Sequence, residues 1–184
     1  RVHGFDVRLI DPQQLAAAVK DLTGSAASAA KWLPPRGVKA DGKLKGIVAV
    51  DVFGQPADYD QIHRAADPNG LPVIEDSCEA LGAMYQNRPA GTLADCGVFA
   101  FYPNKQITTA EGGLVVTNDD QKADMIRSLR NQGRAVGDTW LDHTYLGYNY
   151  RMDELSAALG SAQMRRIDAL IRERQDARKA KNFA

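Results

Sequence analysis

Gly46-Ile47-Val48-Ala49-Val50, Asp58-Tyr59-Asp60-Gln61-Ile62-His63-Arg64-Ala65-Ala66 and Leu71-Pro72-Val73-Ile74-Glu75-Asp76 follow one another in a single stretch, and their order decides the fold. The first is an apolar, β-branched-rich run that reads as a strand from Gly46 to Val50. Phe53-Gly54-Gln55-Pro56 then turns the chain. Asp58 can cap a helix in which Ile62, Ala65 and Ala66 recur at helical spacing. Pro68-Asn69-Gly70 ends that helix. Leu71 to Ile74 is a second strand, stopping at the acidic pair Glu75-Asp76. Strand, helix and strand at this spacing form a βαβ unit, so the sheet is largely parallel and the fold class is α/β.

Apolar residues that stop at carboxylates look like a buried strand delivering them to its C-terminal edge, where open α/β sheets hold their ligands. Asp76 followed by Ser77 equally suits a helix N-cap. Further on, the run from Phe99 breaks at Pro103 and presents Lys105 just past the break. A Thr-rich segment and the Gly112-Gly113 turn lead into a second apolar run, Leu114 to Val116. A lysine at the mouth of a buried strand sits where desolvation disfavours an ammonium, and a neutral amine is a nucleophile toward a carbonyl. A lone lysine is more often a solvated surface charge. Together with the acidic pair it points to pyridoxal phosphate, which needs a lysine for its aldehyde and an acid for its ring nitrogen.

Four motifs occur in one order: Val73-Ile74-Glu75-Asp76-Ser77-Cys78-Glu79-Ala80-Leu81-Gly82-Ala83, then Gly91-Thr92, then the Lys105 segment, then Gly147-Tyr148-Asn149-Tyr150-Arg151-Met152. In this order they resemble the DegT/DnrJ/EryC1/StrS family of pyridoxal-phosphate sugar aminotransferases, from about Asp6 to the last helix. The resemblance implies the large domain of fold-type-I enzymes, a three-layer α/β/α sandwich with a mostly parallel sheet. It implies transfer of an amino group from an amino acid, with glutamate the expected donor, to a keto group of a nucleotide-linked sugar in polysaccharide biosynthesis. A cytoplasmic homodimer is expected with it.

Roles follow from the same resemblance. Lys105 bonds the cofactor aldehyde and relays the proton. Asp76 holds the ring nitrogen protonated. Glu79 faces the ring, where many relatives carry Gln or His. Asn149 reaches across a dimer interface to the cofactor phosphate; its other reading is a turn residue beside Gly147. Arg151, Tyr102 and Asn104 are substrate-pocket candidates, with His143 behind them, although Arg151 can equally pair with Asp153. Three positions depart from the family pattern: Asp51 where His is usual, Ala100 where Ser donates to the phosphate, and Ala110 where Gly is frequent.

Residues 1–184 then form a large domain that lacks its relatives' N-terminal segment, with its phosphate-holding Gly/Ser/Thr turn, and their C-terminal small domain. A sugar dehydratase is one alternative, but relatives of that kind replace the lysine with histidine. A non-catalytic fragment or paralogue acting as a dimerisation or binding module is the other, kept open by the missing turn and Ala100.

The rest of the chain bounds these readings. With 184 residues it can bury a core as one domain. Lys plus Arg equals Asp plus Glu at 23 each, so the charge balance gives no reason to expect nucleic acid or an anionic membrane. No apolar run reaches membrane-span length, and no signal-peptide pattern opens the chain. Cys78 and Cys96 lack metal-ligand and redox spacing and read as buried reduced thiols; no metal site is expected. Arg1 to Ile10 reads as a strand, and Asp11-Pro12 starts a helix with Leu15, Val19 and Leu22 inward and an Ala-rich tail that can prolong it. Pro34-Pro35-Arg36-Gly37 and Asp41-Gly42-Lys43 mark a loop. Residues 77–98 read as a short helix and turns. Asn118-Asp119 opens a helix with Met125, Ile126 and Leu129 on its apolar face. Asn131 to Tyr148 is a long loop, and one last helix runs from about Asp153 with Leu155, Leu159, Ala162, Ile167, Leu170 and Ile171 inward.

Overall fold

The computed structural model describes residues 9–33 and 42–180. The strand read at Arg1 to Ile10 lies outside them except for its last two residues, which are not strand. Pro34 to Gly37 and Asp41 also lie outside the described residues.

Helix α1 (Pro12–Leu22) starts as its sequence dictates. The Asp11 carboxylate accepts the N–H groups of Gln13 and Gln14 at 2.9 and 3.1 Å, and Pro12 occupies a position that needs no donor. Val19 is buried and Leu15 packs beside it. The Ala-rich tail does not prolong α1. The Thr23 hydroxyl turns back onto the Val19 carbonyl at 2.7 Å, and Ser25 caps a separate short helix, α2 (Ala26–Ala29).

Strand β1 (Ile47–Val50), helix α3 (Tyr59–Ala66) and strand β2 (Val73–Asp76) are the βαβ unit, with Ile47 opposite Val73 and Val50 opposite Asp76. Asp58 caps α3 by accepting the Gln61 N–H at 3.1 Å. A two-residue hairpin, β3 (Met84–Tyr85) with β4 (Arg88–Pro89), stands in the span read as containing a short helix. Gln86 and Asn87 at its tip both take positive φ, 48° and 65°, the geometry that lets two strands meet across two residues. Strand β5 (Cys96–Ala100) joins β2 in parallel, and β6 (Gly113–Val116) runs antiparallel to β5, giving the order β1-β2-β5-β6. The sheet is mostly parallel, as an α/β fold requires.

Ile47, Ala49 and Val73 face Val19 of α1 and Ile62 of α3. Complete burial of Ile62 stabilises the fold by about 1.5–3 kcal/mol. Phe99 lies on that same sheet face by register and packs with Phe101, Ile107, Ile167 and Leu170. The opposite-face residues Val48, Val50 and Ile74 are 58, 41 and 38% exposed. Among the described residues, this half of the sheet therefore shows two of the three expected layers.

Helix α4 (Asp120–Arg130) is capped by Asp119, but its apolar side is not sunk into the core. Ile126 and Leu129 line an open groove of about 880 Å³ beside β6. The single last helix is two, α5 (Glu154–Met164) and α6 (Ile167–Ala180), because the Arg166 N–H reaches only to the Gln163 carbonyl and tightens the turn. Ile167 and Leu170 pack inward as read, whereas Leu155 and Leu159 remain 85 and 47% exposed.

Candidate active site

The loop between β5 and β6 is closed by its own backbone. The Phe101 N–H donates to the Gly112 carbonyl at 2.9 Å, and the Phe101 carbonyl accepts the Thr109 N–H at 2.9 Å and the Thr108 hydroxyl at 3.0 Å. Ile107 and Thr109 are buried, which pins the loop to the core. At its tip the Lys105 N–H donates to the Tyr102 carbonyl at 2.9 Å, forming a turn over Pro103 and Asn104. Arg174 of α6 donates to the Lys105 carbonyl at 2.8 Å, and Gln163 of α5 accepts the Thr108 N–H at 3.1 Å. Ala110, at φ 66°, sits in the left-handed region; glycine enters that region without the steric cost alanine bears.

Lys105 and Glu79 meet. Nζ of Lys105 lies 3.3 Å from Oε1 of Glu79, with the lysine side chain 17% exposed. The other Glu79 oxygen accepts the Phe53 N–H at 2.8 Å, so the glutamate joins the turn after β1 to the lysine loop. Gln106 also donates to the Glu79 carbonyl. Lysine and glutamate thus form an ion pair that must part before the amine can bond a carbonyl carbon.

The acidic pair divides between the two faces of the sheet. Strand β2 runs through Asp76 rather than stopping at Ile74, so alternation sends Val73 and Glu75 inward and Ile74 and Asp76 to the opposite face. Glu75 is therefore not delivered to the sheet edge. It is completely buried and accepts the Gly91 N–H at 2.5 Å and the Leu93 N–H at 2.7 Å. Burial pushes its carboxyl above the ordinary range, against the pull of those donors. Gly91 must be glycine here: its φ is 88° and the Phe99 ring occupies the place of a side chain.

Asp76 keeps its predicted place at the C-terminal end of β2, opposite Val98 of β5. Its Oδ1 accepts the Cys78 N–H at 3.2 Å, an Asx turn rather than a helix cap, since no helix follows. Ser77 next to it is completely buried, with Oγ 2.7 Å from Oδ2 of Asp51 and 3.0 Å from Oε1 of Glu75. Asp51 also accepts the Ala57 N–H and the Tyr59 hydroxyl, both at 3.0 Å. The departure at Asp51 thus belongs to a buried network beneath Asp76. Cys78 and Cys96 are half-buried rather than buried, and unpaired; burial and the neighbouring Asp76 push the Cys78 thiol up to about 12.

The remaining candidates stand apart. Tyr102 is 52% exposed and Asn104 is exposed, both on the lysine turn. Asn149 is exposed and bridges Asn131. Arg151 donates to Oδ1 of Asn131 at 2.8 Å and not to Asp153, whose carboxylate caps α5. No hydrogen bond joins Asn149, Arg151 or His143 to the Lys105 loop among the described residues; His143 lies 2.8 Å from the Gln132 carbonyl. Sequence reasoning missed Asp51, Ser77 and Glu75 as a scaffold. The signal was the alternation from Val73, which marks Glu75 as inward.

Fold and site together define an α/β chain with a lysine loop and a carboxylate at the ends of neighbouring parallel strands. The chain matches the DegT/DnrJ/EryC1/StrS aminotransferase family over residues 6–182 and belongs to it. GDP-perosamine synthase of Vibrio cholerae is 40% identical over 138 residues, covering 75% of this chain and 37% of that protein. UDP-4-amino-4,6-dideoxy-N-acetyl-beta-L-altrosamine transaminase of Campylobacter jejuni is 35% identical over 147 residues, covering 79% of this chain and 39% of that one. Among solved structures, Helicobacter pylori PseC, an aminotransferase involved in the biosynthesis of pseudoaminic acid, superimposes with a TM-score of 0.68 at 32% identity, covering 83% of this chain and 40% of that one. The chain thus spans about two fifths of the length of these relatives.

Proposed function

We propose that this chain is the lysine-bearing part of a pyridoxal-phosphate-dependent aminotransferase that moves an amino group from an amino acid, glutamate in this reading, to a keto group of a nucleotide-linked sugar. The observation that carries the proposal is Lys105, held half-buried on a pinned loop after β5, with Asp76 ending the adjacent parallel strand. These residues fit the cofactor's two demands, an amine for its aldehyde and an acid for its ring nitrogen. Fit at the phosphate end is thinner, since Ala100 has no hydroxyl to donate; Asn149 is the donor this reading assigns there.

Bound pyridoxal phosphate supplies an aldehyde and an electron-accepting ring. Lys105 Nζ would supply the amine that holds the aldehyde carbon, the carbonyl oxygen leaving as water. As a free amine, Lys105 Nζ would be the base that accepts a proton from the donor α-carbon and the acid that returns one. Glu79, fixed by the Phe53 N–H, would hold the Lys105 amine whenever it is free. Asp76 would hold a proton at the ring nitrogen through a charge-assisted hydrogen bond. Its backbone is fixed by the Asp51 N–H on the Asp76 carbonyl at 3.0 Å.

A homodimer belongs to the reading. Val136, Trp140, Leu141 and Leu146 in the segment before Asn149 are 78–91% exposed, an apolar surface suited to a second copy. A cytoplasmic location is part of it too, supported by the unpaired cysteines. None of the described helices is long and apolar enough to cross a membrane.

The test is colour and trapping. Incubated with pyridoxal phosphate, the chain should turn yellow, and borohydride should fix the cofactor to the Lys105 peptide. Lys105→Ala should stay colourless and be inactive with glutamate and nucleotide keto-sugars. Wild-type colour and turnover in that variant would remove Lys105 from the chemistry.

A further inference from the structure

Just past α4 two segments pair. Tyr148 and Tyr150 donate backbone N–H groups to the Leu129 and Arg130 carbonyls at 2.9 Å, and the Gln132 N–H donates to the Tyr148 carbonyl at 2.8 Å. The pairing gathers Arg127, Arg130, Arg134 and Arg151 with Asn131 around a concavity of about 310 Å³ that no carboxylate lines. Arg127 is paired with Asp124 at 2.8 Å. Arg134 is anchored without an acid: Nη1 donates to Oε1 of Gln132 at 2.9 Å, Nε to the Trp140 carbonyl at 3.2 Å, and its guanidinium lies 4.5 Å from the Trp140 ring centroid. Arg151 is anchored on Asn131. The Arg130 side chain has no hydrogen-bond or ion-pair partner among the described residues. Asp138, the acid nearest in sequence to Arg134, is occupied by the Ala135 N–H and Thr144.

The chain as a whole is neutral, so four guanidinium charges against one paired carboxylate are a local excess. Arg127 and Arg130 also complement the C-terminal end of the α4 dipole. Arg134 and Arg151 lie outside that helix, and the dipole does not account for them. Guanidiniums anchored through some of their N–H groups present the rest as oriented donors, an arrangement that matches closely spaced phosphate oxygens.

We propose that this pocket binds the diphosphate of the nucleotide-linked substrate. The identity of the ligand rests on the sugar-aminotransferase reading. Two relatives are named for GDP- and UDP-linked compounds, and the part common to both is the diphosphate, so a contact indifferent to the base is what one framework serving both requires.

The experiment is calorimetric titration of the 184-residue chain with UDP and GDP, beside uridine, guanosine and pyridoxal phosphate, for the wild type, Arg130→Gln and Arg130→Gln/Arg134→Gln. Arg130→Gln removes no internal bond, so its fold is kept and its result is read directly. Both diphosphates should bind and the nucleosides should not. Each arginine lost should weaken UDP and GDP by roughly tenfold, the scale of one charge-assisted hydrogen bond, and added salt should weaken wild-type binding. Equal affinity in wild type and double variant, or no diphosphate binding by the wild type, would overturn the proposal. So would a loss confined to pyridoxal phosphate, which would make the pocket a cofactor-phosphate site. Cofactor colour on the same samples separates the two readings. A yellow protein indifferent to UDP and GDP sinks the pocket alone. A colourless protein whose diphosphate binding falls in the variants keeps the pocket and sinks the transaminase.

Discussion

The loop from Phe101 to Gly112 and the segment from Asn131 to Tyr150 both carry candidate functional side chains, and they are built in opposite ways. The first is sewn to the core by Ile107 and Thr109, at 3 and 1% exposure, and tied to both C-terminal helices. The second is held mostly by turns of its own, and Trp140, Leu146 and Tyr150 stand 78, 91 and 72% exposed. Buried neighbours fix where Lys105 is; Asn149 is exposed and bridges only Asn131 among the described residues. The position of the first region is thus set by its own core, and that of the second mainly by backbone bonds to the end of α4 and within itself.

The most severe test of the first region strikes its foundation. Glu75→Ala leaves the Gly91 and Leu93 N–H groups buried without their acceptor, and urea unfolding should show a loss of about 3–5 kcal/mol. An unchanged midpoint would mean that Glu75 does not hold the turn before β5. The same carboxyl gives a pH signature. Because burial raises it, its contribution to stability is full below the unfolded carboxyl range and is lost as pH rises through the folded value. Against Glu75→Gln, the wild type should lose stability more steeply over that interval.

Asp76→Asn keeps the shape at the end of β2 and removes the charge. Turnover should fall on the order of a hundredfold, with the Cys78 turn intact by circular dichroism. An unaltered rate would leave Asp76 with its Asx turn alone.

The second region is tested by mixing. If Asn149 serves the partner subunit's cofactor, its loss should weaken cofactor binding by roughly 1.5–3 kcal/mol. Lys105→Ala and Asn149→Asp, each inactive alone, should regain activity when refolded together, because one site of the mixed dimer then receives neither defect. Mixed dimers that form and stay inactive would return Asn149 to its own subunit or remove it from the site.

The smallest effect sharpens the first region. Ala110→Gly relieves a left-handed alanine, offset by the greater freedom of glycine in the unfolded chain, and should add less than about 1 kcal/mol. A loss would show that the methyl group packs.

How legible these regions were in the sequence follows from the kind of signal each residue leaves. Asp11, Asp58 and Asp119 announced their helices because a cap is local chemistry. The βαβ unit was legible because period two and period 3.6 alternate in a short span. Lys105 and Asp76 were legible as candidates through motif order. The break at Arg165–Arg166 was not, because the apolar spacing runs across it and the competing attraction, Gln163 on Thr108, joins residues 55 apart. Nor was the ion pair of Lys105 with Glu79, 26 residues apart. The arginine pocket escaped for the same reason: pairing past α4, not spacing, brings Arg151 to Arg130. The hairpin replaced the short helix because Gln86, an unexceptional residue in sequence, accepts positive φ.

The bond from Arg174 to the Lys105 carbonyl spans 69 residues, and it sets an order in time. A chain made from its N-terminus completes the sheet through β6 before α6 exists. The strands can pair and the loop can close on Phe101 while the tip holding Lys105 still lacks its outermost tether. The lysine turn therefore matures after the sheet, waiting on Arg174, and a nascent chain halted between β6 and α6 would display a folded sheet with an unfinished tip.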